Sequence, residues 1–281
     1  MRYRPFGREG QTISAVSLAL GERPESEAAR VRLVYAALEA GVNGFELRTP
    51  GAATALGRGL QALERRMVLI SVRLSGVHRL DRDAVVSEIE QPLLAGRFGR
   101  LDLVVVDGPA RMTEGGWDAL AAARAAGRTR LVGVAGEGAG EALGRGDVDV
   151  LGARHNLTAS WAERNRVKEA VVQGRTVVGH GYMPSLTGSE PEEAPRRGLF
   201  GLLRRPAPIE RSSAYAFLGR TPNWSADEIC LAYALTEPSL ATVAVEAATP
   251  DELERLAAVP ERELPTGLAA QIEMSRFAEA G

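Results

Sequence analysis

Two periods of apolar spacing take turns along this chain. Short, nearly unbroken apolar runs such as Leu101–Asp107 (LDLVVVD) have the composition of strands buried on both faces. Between them lie longer stretches whose apolar positions recur every three or four residues, as in helices with one buried face. The pattern predicts a hairpin, Arg2–Phe6 and Thr12–Ala15 around GREG. It then predicts strands at Val16–Leu20, Gly44–Leu47, Met67–Leu74, Leu101–Asp107, Leu131–Val134, Val148–Leu151, Thr176–Gly179 and Thr242–Val245. Helices are predicted near Ser26–Ala40, Ala53–Leu63, Arg82–Leu94, Gly116–Ala126, Glu137–Gly144, Ala162–Gln173, Ala226–Thr236 and Pro250–Ala258. The punctuation agrees: Ser225 precedes an acidic first turn, Pro250 follows Thr249 at a first helical position, and Gly41, Gly127 and Gly174 stand where helices must stop. Eight strand–helix units favour a closed parallel barrel over an open sheet. The predicted class is α/β, a (β/α)8 TIM barrel with an N-terminal β-hairpin and a C-terminal extra helix at Leu264–Ala280. Residues 1–281 read as a single domain.

One segment breaks the alternation. Residues 183–223 contain TGSEPEEAPRRGLFGLLRRPAPIERSS, rich in proline, glycine and charge, with an apolar island at Leu199–Leu203. A connection of this length reads as a long loop or lid insertion. The formal net charge of −2 argues against a nucleic-acid partner. The single cysteine, Cys230, excludes an internal disulfide, and its apolar helical setting reads as a buried structural thiol. No stretch approaches the roughly 20 apolar residues of a membrane span, so a cytoplasmic protein is expected. His78, His155 and His180 are scattered without a ligand set, so no metal is expected. No phosphate loop appears, and Ser185, Thr187 and Ser189 lack a nucleophile elbow.

Four stretches in order carry a family resemblance: MRYRPFGREGQTISAVSLALG, AALEAGVNGFELRTPGAATALGRGL, RLDLVVVDGPA and TVAVEAATPDELERL. They resemble the opening hairpin and first strand, the second unit, the [IV]-D-L-x-x-[IL]-H-x-P strand and the last strand and helix of the aldo-keto reductases. The resemblance implies a barrel whose members transfer hydride from a nicotinamide to a carbonyl. In them a tyrosine is the general acid, tuned by a lysine paired with an aspartate, and a histidine orients the carbonyl. The physical demand is a phenol whose high pKa is lowered by an adjacent cation.

Carried over residue by residue, none of the four is retained. The aspartate position is Glu46, the tyrosine position Gly51, the lysine position Arg73 and the histidine position Asp107. No tyrosine lies between Glu46 and Arg73, so a small alignment shift does not restore the acid. A Glu46–Arg73 pair at the barrel mouth is expected, with an arginine that does not exchange protons near neutral pH.

The resemblance also assigns cofactor positions. Leu20 ends the first barrel strand, and Ala135-Gly136 stand where a Ser-Asn holds the carboxamide. Gly152 replaces a glutamine. His180, before Gly181 and with Tyr182 close by, replaces the aromatic that stacks on the nicotinamide, although its bland reading is a structural histidine. At the adenosine end Glu246, Ala247, Thr249, Glu252 and Arg255 match the phosphate-binding stretch, with Glu246 and Glu252 at its lysine and arginine positions. Acids there repel a 2′-phosphate and suit a ribose diol, so NAD(H) is expected over NADP(H). Equally, Glu252 and Glu254 read as an ordinary acidic first turn.

The degraded tetrad resembles that of oxidoreductase-like regulators and implies an NAD(H)-responsive protein without carbonyl-reductase activity. Its expected partners are proteins, on that resemblance a division-ring protein and a histidine kinase. Two other readings stand beside it. One is a barrel repurposed for lyase or isomerase chemistry through Glu46, Arg73 and Asp107; the other is a residual oxidoreductase with a different proton donor.

Overall fold

The computed structural model describes residues 1–21, 26–75, 79–184 and 213–279. A hairpin of β1 (Tyr3–Phe6) and β2 (Gln11–Ser14) comes first. Eight parallel strands then close a barrel: β3 (Val16–Leu20), β4 (Gly44–Leu47), β5 (Leu69–Leu74), β6 (Leu101–Asp107), β7 (Thr129–Ala135), β8 (Val150–Arg154), β9 (Thr176–His180) and β10 (Leu240–Val245). Closure is between β10 and β3, with Val243 opposite Val16. The helices are α1 (Glu27–Glu39), α2 (Pro50–Gly59), α3 (Arg82–Gly96), α4 (Glu114–Ala125), α5 (Ala139–Ala142), α6 (Trp161–Val172), α7 (Ala226–Leu235), α8 (Pro250–Ala258) and α9 (Leu268–Glu279). The expected (β/α)8 barrel with hairpin and extra helix is the observed architecture.

The period of two in each strand divides its side chains between two cores. In β6, Val104 and Val106 pack outward against the helix layer, whereas Leu103 and Val105 fill the barrel. Phe6 and Ile13 of the hairpin enter that interior from below, both nearly inaccessible, so β1–β2 plugs the end where the strands begin. The interior is thereby left open only toward the opposite, C-terminal end.

Local chemistry sets the helix ends. The side chains of Ser26, Asp81, Thr113, Ser160 and Thr249 each accept a first-turn N–H. At Ser225 the Glu228 carboxylate accepts the backbone N–H of Ser225 at 2.8 Å. Several predicted boundaries move. Pro50 starts α2 before the predicted Ala53, because proline suits a first helical position. The helix ends at Gly59 and a 3-10 turn, Arg65–Met67, delays β5 to Leu69. Left-handed Gly136 and Gly138 shorten α5 to one turn. β8 starts at Val150 because the Asp149 carboxylate is occupied with Val132 N at 3.1 Å and Arg124 at 3.0 Å.

Most of the predicted loop at 183–223 lies outside the described residues, as do its apolar island, Ser185, Thr187, Ser189 and His78. Its end is described, and it is packed rather than loose. Ser213–Gly219 forms 3-10 turns whose Tyr215 and Leu218 join Ile229 and Cys230 of α7 and Ile272 of α9 in a small third core. Cys230 is free and buried there, its thiol pushed up to about 12 by burial, which fits the structural reading. Among the described residues no helix is long and apolar enough to cross a membrane, and no cluster of metal-ligating side chains occurs.

Candidate functional site

The C-terminal ends of β4, β5 and β6 bring Glu46, Arg73 and Asp107 together. Arg73 donates through Nε and Nη2 to the two Glu46 oxygens at 3.2 and 3.3 Å, and through Nη1 to Asp107 Oδ2 at 3.3 Å. Arg48 donates to the same Glu46 carboxylate at 2.7 Å and bridges outward to Glu246 beyond β10. The result is a chain of five charged groups, Asp107–Arg73–Glu46–Arg48–Glu246, running from β6 past β3 to β10. Glu46 and Arg73 are 4% and 9% exposed, so the centre of this chain is out of water while Glu246 is at its surface end.

Burial alone would raise the Glu46 carboxyl, but the Arg73 and Arg48 guanidiniums outweigh it and hold Glu46 below the usual carboxylate range. Burial alone would likewise lower Arg73, and Glu46 and then Asp107 reverse that. Both therefore remain charged, and the pair is locked rather than poised to exchange a proton. His180 at the end of β9 stays neutral: burial first, then the Arg73 charge, lower it to about 4. Its Nε2 is buried without a hydrogen-bond partner.

Above this chain a cleft of about 540 Å³ is lined by Arg48, Arg73, Ser75, Asp107, His180, Gly181, Tyr182, Met183, Ala244 and Glu246. Arg48, Ser75 and Tyr182 each stand two residues beyond a recognised site residue, at Glu46, Arg73 and His180. Continuing the strand period past the predicted strand ends would have found Arg48 and Ser75, which the sequence reading missed. Tyr182 is not set up as a general acid. Burial, then the nearby Asp227 and Glu252, raise its phenol, the reverse of what proton donation needs.

Asp107 can reach Arg73 because residue 136 is glycine. Gly136 has φ +73°, and a Cβ there would stand 2.5 Å from Asp107 Oδ1. Gly136→Ala should therefore destabilise the protein by about 1–2 kcal/mol and loosen Asp107 from Arg73. Gly127→Ala is the matched control, with φ +72° and nothing within 4 Å of the added Cβ. Chemical denaturation of both variants separates the steric part from the backbone part; equal losses would show that Gly136 serves its backbone conformation alone.

Other predicted positions lie apart. Gly51 sits in the first turn of α2, where an added Cβ would meet Arg30 Nη1 at 3.0 Å, and it does not line the cleft. Leu20 and Ala247 are buried in the layer between barrel and helices, and Ala135 in the barrel interior. Gly152 lies just under the mouth, its absent Cβ facing Ala135 at 2.8 Å and His180 at 3.7 Å. Arg255 turns toward Glu228 at 3.9 Å and Ser225 Oγ at 3.5 Å. Thr249 Oγ1 accepts Glu252 N–H at 3.2 Å, and the Glu252 carboxylate accepts Ala248 N–H at 2.8 Å. The positive end of α8 is thus already occupied by this chain's own carboxylate.

Solved structures of aldo-keto reductases share this fold. One from Bacillus halodurans, in its holo form, matches with a TM-score of 0.76 at 16% identity, covering 98% of this chain and 96% of that one. Another, from Klebsiella pneumoniae in complex with NADPH, matches with a TM-score of 0.74 at 16% identity, covering 98% and 95%. No protein-family model and no curated protein sequence matches. The aldo-keto-reductase-like fold inferred from sequence is therefore observed, at an identity that speaks for fold alone.

Proposed function

We propose that this barrel works by binding rather than by carbonyl reduction, taking a nicotinamide dinucleotide at its mouth and NAD(H) in preference to NADP(H). The observation that carries this reading is the locked Asp107–Arg73–Glu46 ion-pair chain at the three strand ends where the resemblance places reductase chemistry. A structural relative holds NADPH, which supports a nicotinamide ligand for the fold. The residues here fit such a ligand only in part. The half-buried His180 ring offers a face for stacking at the mouth, and Glu246 and Glu252 offer acceptors for a ribose diol. Ala135 and Gly136 offer no side-chain donor to a carboxamide.

Charge decides the preference. The Glu252 carboxylate already takes the Ala248 N–H at the start of α8, and Glu246, which is ion-paired with Arg48, acts with it on the Tyr182 phenol from nearby. A 2′-phosphate would meet two acids, and a like-charge contact in partly screened surroundings costs on the order of 1 kcal/mol or more. Titration calorimetry or nicotinamide fluorescence should show NADH binding about fivefold or more tighter than NADPH. Glu246→Lys with Glu252→Arg should narrow or reverse the gap, with thermal unfolding recorded because Glu252 also caps α8. Tighter NADPH binding to the unaltered protein would reject the charge argument, and binding of neither would reject the dinucleotide reading.

Occupancy would then be read by protein partners. The degraded tetrad resembles the pattern of the oxidoreductase-like bacterial regulator KidO, so the partners proposed on that resemblance are a division-ring protein and a histidine kinase.

A further inference from the structure

The end of the barrel opposite the mouth carries a groove that the cleft chemistry does not use. Two hollows of about 470 and 580 Å³ meet there, sharing Leu63 as a common wall. Three apolar side chains stand open along them: Tyr3 at 51% exposure, Leu63 at 38% and Met67 at 59%. They are held in place rather than dangling. Tyr3 donates its hydroxyl to Gly41 O at 2.8 Å, and Met67 ends the 3-10 turn that precedes β5.

The charge of the groove is one-sided. Arg58, Arg65, Arg66 and Arg97 line the two hollows, and no aspartate or glutamate does. Three of these are partly neutralised from outside: Arg58 by Glu27 at 2.8 Å, Arg65 by Asp102 at 2.6 Å and Arg66 by Glu64 at 2.5 Å. Arg97 forms no ion pair among the described residues. It also occupies the left-handed C-cap of α3, with φ +55°, a conformation that glycine adopts far more easily. A guanidinium is thus presented where the backbone alone would favour having no side chain. This basic rim belongs to a chain whose formal net charge is −2, so it is a local feature and not a general bias.

Ordered apolar anchors beside a basic rim, with Arg97 unpaired among the described residues, are complementary to a peptide that carries both apolar side chains and carboxylates. We propose that this groove docks a protein partner through an acidic segment with apolar anchor residues. The surface lies away from the mouth, so the proposal stands whether or not a dinucleotide binds there.

The test uses the full chain and a fluorescein-labelled helical peptide bearing glutamates on one face and leucines on the other. A twin peptide carries lysine for every glutamate. Fluorescence anisotropy should show saturable binding of the acidic peptide, weaker by at least about tenfold for the twin, and declining as salt rises. Arg66→Glu with Arg97→Glu should abolish it, whereas Lys168→Glu, on the exposed face of α6, should not. Absence of binding, equal binding of the twins, or indifference to the arginine reversals would overturn the proposal. Two reassignments are also open to the same variants. Sedimentation with phosphatidylserine vesicles that the reversals abolish would make the face a lipid surface. A dimer in solution that they dissociate would make it a contact with a second copy. Either result would replace the acidic-segment assignment.

Discussion

Replacing Arg73 with alanine should lower the stability of this protein by about 3 kcal/mol at pH 7, read as a fall in the urea midpoint. Glu46 is 4% exposed, and removing one member of a buried ion pair leaves an uncompensated charge at a cost of about 3–5 kcal/mol. The lower end applies because Arg48 still donates to Glu46 at 2.7 Å. The deficit should shrink on acidification. Glu46 is depressed in the folded protein, so its contribution is complete above the ordinary carboxylate range and is lost as pH falls through the lower, folded value. Without Arg73 the carboxyl titrates nearer its ordinary value, so the variant takes up its proton earlier and pays less for the buried charge. The variant should also let His180 titrate higher, because the Arg73 charge is the second cause, after burial, of its depression to about 4. Proton NMR of the imidazole measures that directly. A deficit that stays constant from neutral pH down to pH 4, or a His180 titration unmoved by the change, would show that Arg73 acts by packing alone.

Much of this site was legible because strands impose a period of two and a buried charge demands a partner. Glu46 and Arg73 both occur inside otherwise apolar strand runs, and such positions are tolerable only if the two side chains meet; they do. Asp107 closes a strand of the same barrel, and its reach to Arg73 depends on the missing Cβ of Gly136, a fact carried by a residue remote in sequence. Arg48 and Ser75 were passed over because the predicted strands stopped at Leu47 and Leu74, whereas the inward face continues beyond them. The direction of Arg255 was not legible at all. Its helical position is compatible with a ligand at the start of α8 or with Glu228 and Ser225 of α7, and only the packing of the two helices selects the latter. The place of Gly51 was not legible for a related reason: spacing from Glu46 counts residues, but α2 begins at Pro50 and position 51 does not line the cleft.

With position 51 out of the cleft, no carbonyl reduction is expected of this barrel. Purified protein should oxidise neither NADH nor NADPH above background with a broad panel of aldehydes and ketones. Among the described residues of the mouth, Arg73 stays protonated, His180 stays neutral and the Tyr182 phenol is raised rather than lowered, so none of the three is an acid of suitable strength. Gly51→Tyr with Arg73→Lys should also remain at background. A side chain at position 51 begins against Arg30 at 3.0 Å, in the first turn of α2, and would not line the cleft without moving that turn. Lysine at 73 keeps the charge but gives up the forked donation that now holds Glu46 and Asp107 at once. The assay is nicotinamide absorbance at 340 nm, the usual band of the reduced cofactor, and enzymatic turnover in the common range is about 1–1000 per second. Turnover in that range by the unaltered chain would overturn the binding-only reading. Recovery in the double variant would show instead that the α2 turn yields easily and that one missing phenol was the whole defect.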